Sequence, residues 1–368
     1  ASRYAISDTA PLWGGRRKGI RDSEIRAFFV YLGQCQSDLQ DRYILKREIN
    51  MDTKRWLLLL SLVLWIPGCM SLKGERLLKN EQYQDGLATF KNIVQEEPKN
   101  PDAQYYLGRF YLTLERPEEA LPHLKRAVQG DPARADYHFW LGVAYWAIRD
   151  FDLERKSYLQ ALAKDPKHVP ARLYLAHTFL DSGEWQEALD NYDSVLLQDA
   201  YNPEALYNRA LALAELGRPK EETKAWKQYL EYYPKGKWAL RAVDHLNELG
   251  DFSHRNFIIG YRRVTLEHIS FSPNSAELLS NGKPSLQVLG KILSINDKIW
   301  LEVLCYKNGD PALATARAKA VGDYLLQEFP RLKPSRIGAR GIGRKERIKA
   351  GSKVYLLDDS TTFITSKK

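Results

Sequence analysis

The stretch AQYYLGRFYLTLERPEEALPHLKRAVQGDP, residues 103–132, decides the fold, because its pattern returns every 34 residues from Pro101 to Gly236. In each copy, large apolar residues recur at helical spacing in two successive segments. One repeated position holds only small residues, and a proline follows most copies where a helix must already have ended. The small residues are Gly108, Gly142, Ala176 and Ala210, and the prolines are Pro132, Pro166 and Pro234. We therefore predict pairs of antiparallel helices that approach closely at the small residues.

This pattern resembles the tetratricopeptide repeat, a two-helix unit that stacks into an α-solenoid. A weaker copy precedes the regular ones, so we expect five units between about residues 70 and 236. The segment Lys237–Leu249 has one apolar stripe and is predicted to be the helix that caps the solenoid. The resemblance implies a scaffold whose concave surface binds an extended peptide or a helix of a protein partner. It does not identify that partner.

In the repeat family the first helix of each unit lines the concave groove, and the matching positions are the expected partner-binding residues. Exposed aromatic side chains on such a surface are typical anchors for a peptide. The alternative is that Phe139 and Trp146 only pack against the neighbouring unit. The predicted groove residues are Tyr105, Arg109, Phe139, Val143, Trp146, Leu173, His177 and Tyr207.

Residues 51–68 have the layout of a secretory signal peptide. Met51 starts a short cationic segment, Trp56–Trp65 is apolar, and Ile66–Cys69 places a small residue before a cysteine. The apolar run is about half the length that spans a bilayer. Its ending resembles the bacterial lipobox, which implies that Cys69 is diacylated and becomes the mature N-terminus. An ordinary secretory signal and an uncleaved anchor are the alternatives.

Residues 1–50 do not suit a protein that starts with a signal peptide, because such a signal acts near the N-terminus. The chain opens on Ala1, and purines alone can encode Lys46–Glu48, as they would a ribosome-binding site. We expect residues 1–50 to be translated upstream sequence that is absent from the natural protein. The alternative is a genuine amphipathic helix at Ser23–Leu39.

By resemblance to enterobacterial sorting, Met70 after the cysteine implies that the lipidated protein is held at the periplasmic face of the outer membrane.

The chain changes character after Asp251, where strand-like runs replace the helical period. Residues 51–250 hold 26 Lys and Arg against 29 Asp and Glu, net −3, whereas residues 251–368 hold 20 against 11, net +9. Arg331–Lys353 contains nine basic residues and one acidic residue. This stretch is either a solvated basic face or a site for anionic material such as cell-wall polymer, lipid head groups or nucleic acid. Cys305 lies in an alternating run and is predicted to be a buried strand residue.

The order of elements in residues 251–368 resembles the OmpA-like peptidoglycan-binding domain, a βα-βα-β-β fold. Residues 268–295 match its opening strand and first helix, Leu313–Leu325 its second helix, and Arg336–Gly343 the start of its third strand. The resemblance implies that Arg317 grips the carboxylate of diaminopimelate in the peptide stem of peptidoglycan. Asp310 is the candidate for the family's loop aspartate, which meets the ammonium group. The alternatives are that Asp310 caps the following helix, and that Arg317 pairs with Asp310 or Asp323 in a structural ion pair.

The predicted fold class is α + α/β, with a tetratricopeptide solenoid at 69–250 and the OmpA-like domain at 251–368. The sequence lacks the spacings of zinc enzymes, nucleotide-binding loops and serine hydrolases, so we expect neither an enzyme nor a cofactor nor a metal. We expect an envelope lipoprotein scaffold that binds a periplasmic or membrane protein through the groove. Its second domain either binds peptidoglycan or has become a structural cap that no longer binds it. One alternative is an assembly factor for outer-membrane barrels or pilus secretins without cell-wall binding. Another is a protein that binds anionic lipid or nucleic acid through Arg331–Lys353. Nucleic acid is not the expected partner.

Overall fold

The computed structural model describes residues 68–367, and the chain divides into two compact units between Ala212 and Leu213. The predicted leader, residues 1–50, and nearly all of the predicted signal peptide, residues 51–68, lie outside the described residues. Within the described range, no helix combines the length and apolarity needed to cross a membrane.

The described part of the first unit consists of helices that follow one another in pairs. Pro101 and Pro117 occupy the first turn of their helices, where a backbone N–H has no intrahelical partner. The Asn100 side chain also caps the helix that Pro101 begins, and the Asp150 side chain caps a further helix; they accept from backbone N–H groups at 3.1 and 3.2 Å. The helices are α1 (Gly68–Lys79), α2 (Tyr83–Glu96), α3 (Pro101–Thr113), α4 (Pro117–Gly130), α5 (Ala135–Ala147), α6 (Phe151–Lys164), α7 (Val169–Ser182), α8 (Trp185–Gln198) and α9 (Pro203–Glu215), the last of which crosses the boundary between the units.

The backbone repeats with the same 34-residue period as the sequence. The residue that links the two helices of each pair has a positive φ angle, and in every case its N–H and the next one bond back to the helix just completed, as in a Schellman motif. The residues are Glu81 (56°), Glu115 (61°), Arg149 (65°), Gly183 (80°) and Gly217 (64°). Each pair therefore turns with one geometry, whether or not a glycine is present.

The small residues hold the helix pairs together as predicted. A Cβ atom on Gly108 would lie 2.6 Å from Leu124, and one on Gly142 would lie 2.5 Å from Tyr158. Ala176 and Ala210 are fully buried. Because a Cβ atom at Gly108 or Gly142 would collide with the second helix, the close approach of the helices in these two pairs depends on glycine.

The second unit continues with two helices and then a mixed sheet. The capping helix predicted at 237–249 is present, and Gly250 follows it at a φ of 87°. The elements are α10 (Pro219–Tyr232), α11 (Lys237–Glu248), β1 (His254–Ile259), β2 (Arg262–Glu267), α12 (Lys283–Ile295), β3 (Ile299–Lys307), α13 (Pro311–Glu328), β4 (Ile337–Ile342), β5 (Glu346–Ala350), β6 (Lys353–Leu357) and β7 (Asp359–Lys367). Strand β3 lies between β4, which is parallel to it, and β7, which is antiparallel, while β1–β2 and β5–β6 are antiparallel hairpins.

One apolar core joins the sheet to α12 and α13. Cys305 belongs to it and is 1% exposed, which confirms the prediction of a buried strand residue, and burial raises the pKa of its thiol to about 11. The opening strand that the resemblance places at the start of residues 268–295 is not formed: β2 ends at Glu267, and an isolated bridge joins Phe271 to Leu278. A tight turn replaces the strand there, in which the Ser272 N–H donates to the Glu277 carbonyl at 2.9 Å.

Helix α11 packs on the first hairpin of the sheet region. The Asn256 side chain donates to the Leu240 carbonyl at 2.7 Å and to Asp244 at 2.9 Å, and Arg263 pairs with Asp244 at 2.7 Å. These bonds tie the end of the helical region to β1 and β2, so the second compact unit begins before the change in composition at residue 251.

Candidate functional site

The side chains expected to line the binding groove are buried. This corrects the expectation of exposed aromatic anchors, because the eight residues are between 0 and 8% exposed. They are Tyr105, Arg109, Phe139, Val143, Trp146, Leu173, His177 and Tyr207.

Aromatic packing accounts for much of this burial. The Phe139 ring on α5 lies 5.5 Å from Trp140, 5.8 Å from Tyr158 and 5.5 Å from Tyr174, measured between ring centroids. Tyr174 belongs to the next helix pair, so Phe139 packs against the neighbouring repeat, as the alternative predicted. Aromatic rings at such distances attract one another beyond the area they bury.

Arg109 is a buried cation held between two repeats. It forms an ion pair with Glu75, which precedes it by one 34-residue period, and its guanidinium lies 4.5 Å from the Trp140 ring centroid. Burial disfavours its charge, but Tyr105 and Glu75 more than offset this and raise the pKa of Arg109 above its ordinary value. The guanidinium therefore stays charged and links adjacent helix pairs, as a cation–π and ionic contact.

His177 is the centre of a buried polar cluster, which we define as His177, Tyr192, Glu204 and Asn208. The Tyr192 hydroxyl lies 2.7 Å from His177 Nδ1, and Glu204 Oε2 lies 3.0 Å from Nε2. Burial raises the pKa of Tyr192 well above its usual value, so its hydroxyl keeps its proton. In the tautomer in which Nδ1 accepts from this hydroxyl, Nε2 carries the ring proton and donates to Glu204. The cluster joins α7, α8 and α9.

Arg317 lies on α13 and is 3% exposed. Its Nε donates to the Ser275 carbonyl at 2.8 Å, its Nη1 donates to Asp359 at 2.6 Å, and its guanidinium lies 4.8 Å from the Phe271 ring centroid. Lys307 also pairs with Asp359, at 3.1 Å. Partial burial of Asp359 raises its pKa, but the bonds from Arg317 and Lys307 outweigh this and lower the pKa below its ordinary value.

Asp310 has the capping role rather than a place beside Arg317. Its side chain accepts from the Leu313 N–H at 2.8 Å at the start of α13, which confirms the capping alternative. Within the described residues, the carboxylate that pairs with Arg317 is that of Asp359, so the predicted partners Asp310 and Asp323 are wrong. Sequence reasoning missed Asp359 because it follows Arg317 by 42 residues and arrives only through the pairing of β7 with β3.

Cys69, the candidate for lipidation, lies in the first turn of α1, and only the backbone of this residue is described. In the described range, no group of three or more His, Cys, Asp or Glu side chains is arranged to hold a metal ion.

Comparisons with known proteins agree on the helical repeats. Family models described as tetratricopeptide repeats match residues 77–138, and residues 111–169 and 173–237. The chain therefore contains tetratricopeptide repeats, stacked as a helical solenoid of about ten helices and followed by the strand-containing region. A search of curated proteins found no match.

Several solved structures are similar to this chain over less than half of its length. A crystal structure of MamA is 21% identical, with 45% of this chain and 90% of that chain covered and a TM-score of 0.40. TTC0263, a thermophilic tetratricopeptide protein of Thermus thermophilus, is 23% identical, with 49% and 98% covered and a TM-score of 0.40. YrrB, described as a tetratricopeptide protein with an unusual peptide-binding site, is 20% identical, with 46% and 87% covered and a TM-score of 0.41.

Proposed function

We propose that this protein is an envelope-anchored scaffold that binds a peptide segment of a periplasmic or membrane protein along its tetratricopeptide solenoid. The observation that carries the scaffold is the series of helix pairs with one turn geometry, matched to the repeat family over residues 77–169 and 173–237. Stacked repeats present a continuous elongated surface, and such surfaces bind extended ligands. The aromatic residues of the first helices shape this surface from within, because they are buried.

A peptide-selection experiment tests the scaffold. We expect the purified chain to enrich peptides of one consensus from a random displayed library, and Tyr105→Ala or Trp146→Ala to weaken their binding. Because both side chains are buried, affinity must be measured at a temperature where circular dichroism shows each variant fully helical.

The matched control is Leu159→Ala on α6, which removes an aliphatic side chain that is 49% exposed on a second helix. Binding that falls in the two first-helix variants but not in this control supports the groove. Absence of any enriched consensus, or an equal loss in all three variants, rejects it.

The anchor is the second element of the proposal. A lipidated Cys69 would hold the solenoid at the periplasmic face of the outer membrane, where its partner would be a protein of the periplasm or of the membrane. The support for this is the signal-like sequence before Cys69. The alternative is an assembly factor for outer-membrane barrels or pilus secretins that does not contact the cell wall.

Peptidoglycan binding through the second unit is a separate candidate, supported by the orientation of the Arg317 guanidinium. The guanidinium is buried and oriented by protein oxygens, while the carboxylate is 40% exposed. A diaminopimelate carboxylate would have to displace Asp359 from Arg317, or else Asp359 would turn to the ligand's ammonium group. Both outcomes use charge-assisted hydrogen bonds.

Titration of a diaminopimelate-containing stem peptide into the whole chain separates these possibilities. Saturable binding that is lost in Arg317→Ala supports the site. Asp359→Asn then tightens binding if Asp359 competes with the ligand, and weakens it if Asp359 meets the ammonium. Absence of binding at millimolar peptide excludes this cell-wall site and favours the assembly factor.

A further inference from the structure

The hairpin of β5 and β6 exposes a face on which cationic and aliphatic side chains alternate. The register pairs Arg347 with Leu356 and Lys349 with Val354, so these four side chains lie on one face. Val354 is 48% exposed and Leu356 is 59% exposed, and both basic residues are exposed as well. We call these four residues the hairpin face.

The opposite face of the same hairpin fixes its orientation. The Tyr355 hydroxyl donates to the Glu248 carbonyl at 2.7 Å, and its ring lies 5.2 Å from that of Phe252. Glu346 is 6% exposed and accepts from Arg255 at 2.9 and 3.0 Å. Because both strands are held on this side, the hairpin face points away from the core of the second unit.

Charge is uncompensated on the hairpin face. The acidic residue of the basic stretch, Glu346, is turned inward to Arg255, whereas neither Arg347 nor Lys349 pairs with a carboxylate among the residues the structure describes. Arg344 and Lys353 are also exposed. The surface around Val354 and Leu356 is therefore positive.

We propose that the hairpin face binds the surface of an anionic phospholipid bilayer. Acidic head groups attract lysine and arginine side chains near the bilayer surface. Exposed aliphatic side chains between these cations insert at the boundary between the head groups and the acyl chains. A polyanion such as nucleic acid offers no apolar layer to Val354 and Leu356, and its single strands are typically bound by stacked aromatic residues, which this face lacks. This inference goes beyond the proposed scaffold and does not depend on Arg317 or on lipidation.

Vesicle sedimentation tests the proposal on the whole chain carrying Cys69→Ser, so that no acyl chain contributes. Phosphatidylcholine vesicles are compared with vesicles that also contain phosphatidylglycerol. We expect phosphatidylglycerol to increase the bound fraction and added salt to reverse the increase. Arg347→Gln with Lys349→Gln should lower the phosphatidylglycerol-dependent partition coefficient roughly tenfold or more.

Two further variants separate a membrane from a polyanion. Val354→Ser with Leu356→Ser should also weaken vesicle binding, while retention on a heparin column stays unchanged. Lys291→Gln with Lys319→Gln removes the same charge from exposed positions on α12 and α13 and should leave both unaffected. Equal binding to both vesicle types, full binding by the serine variant, or an equal loss in the lysine control would overturn the proposal.

Discussion

Buried polar side chains in the first unit connect one repeat to another. Arg109 pairs with Glu75, the Tyr137 hydroxyl donates to Asp102 at 2.7 Å, and His177 bonds Glu204 at 3.0 Å. In a repeat protein the stability of each repeat depends on its interface with the neighbouring repeats. Directional bonds at these interfaces favour one register of stacking, because a shifted helix would leave a buried charge without its partner.

His177 should contribute strongly to stability through Glu204. His177→Leu removes the donor to a carboxylate that is 4% exposed, and we expect a loss of about 3 kcal/mol in the free energy of unfolding. The double variant with Glu204→Leu should recover most of that loss, since the stranded carboxylate is gone. Urea denaturation measures both values. If the double variant is no more stable than the single one, the histidine acts by packing alone.

The ion pair of Arg317 and Asp359 should make stability depend on pH. The pKa of Asp359 is lowered in the folded state, so the pair stabilises the protein above the unfolded carboxyl pKa of about 3.9 and is lost as the pH falls through the lower folded value. Asp359→Asn should therefore be less stable than the parent at pH 7, with the difference shrinking toward pH 2. Urea midpoints across this range provide the measurement. A difference that does not change with pH would show that the charge of Asp359 does not matter.

Among the elements, the turn between paired helices shows how one geometry tolerates different residues. Gly183 and Gly217 suit a positive φ angle, whereas Glu81, Glu115 and Arg149 adopt it at a steric cost. Those non-glycine positions are not recognisable as left-handed from local sequence. The left-handed conformation at these positions can be inferred only from the 34-residue repeat, because the two glycines mark the position of the turn within it.

Substitution at these turns should have opposite effects in different repeats. Glu81→Gly relieves the steric cost and should stabilise the protein by about 0.5–1 kcal/mol. Gly183→Ala should destabilise it by about 1 kcal/mol. A Cβ on Gly183 has ordinary space, 3.5 Å from Trp185, so the cost arises from the backbone alone. Thermal denaturation of both variants is the measurement, and a shift in the same direction for both would contradict the interpretation.

How far sequence predicts structure also differs between elements. The helix pairs followed from the small residues and the prolines, because those constraints are local and recur. Three strands, β4, β5 and β7, contain glycine, charged residues or threonine in place of a strong alternation of apolar residues. The position of β7 is set by its pairing with β3, which is distant in sequence. The same non-local pairing brings Asp359 to Arg317. Exposure of the groove residues was mispredicted because the family pattern specifies a position on the helix but not the size of its neighbours, such as Trp140 and Tyr174.

For the whole molecule, the two kinds of structure carry opposite charge. Residues 51–250 have 26 basic and 29 acidic residues, and residues 251–368 have 20 and 11. A protein held at a membrane by its N-terminal part would present its basic part to whatever anionic surface is within reach, including the head groups of the same membrane. Lipid contact at the hairpin face would then add to the anchoring that the acyl chains on Cys69 supply.

Lipidation is the prediction on which the cellular location depends. Expression from Met51 in a Gram-negative host should give a membrane-associated product that incorporates labelled fatty acid, and Cys69→Ala should abolish the label. Cys305→Ala is the matched control, because that cysteine is 1% exposed within β3 and its substitution should leave the label in place. A processed, soluble and unlabelled product from the unmutated gene would remove the anchor from the proposal. The solenoid and the hairpin face would then have to reach their partners by diffusion, and any association with membranes would be as sensitive to salt as the exposed arginine and lysine side chains require.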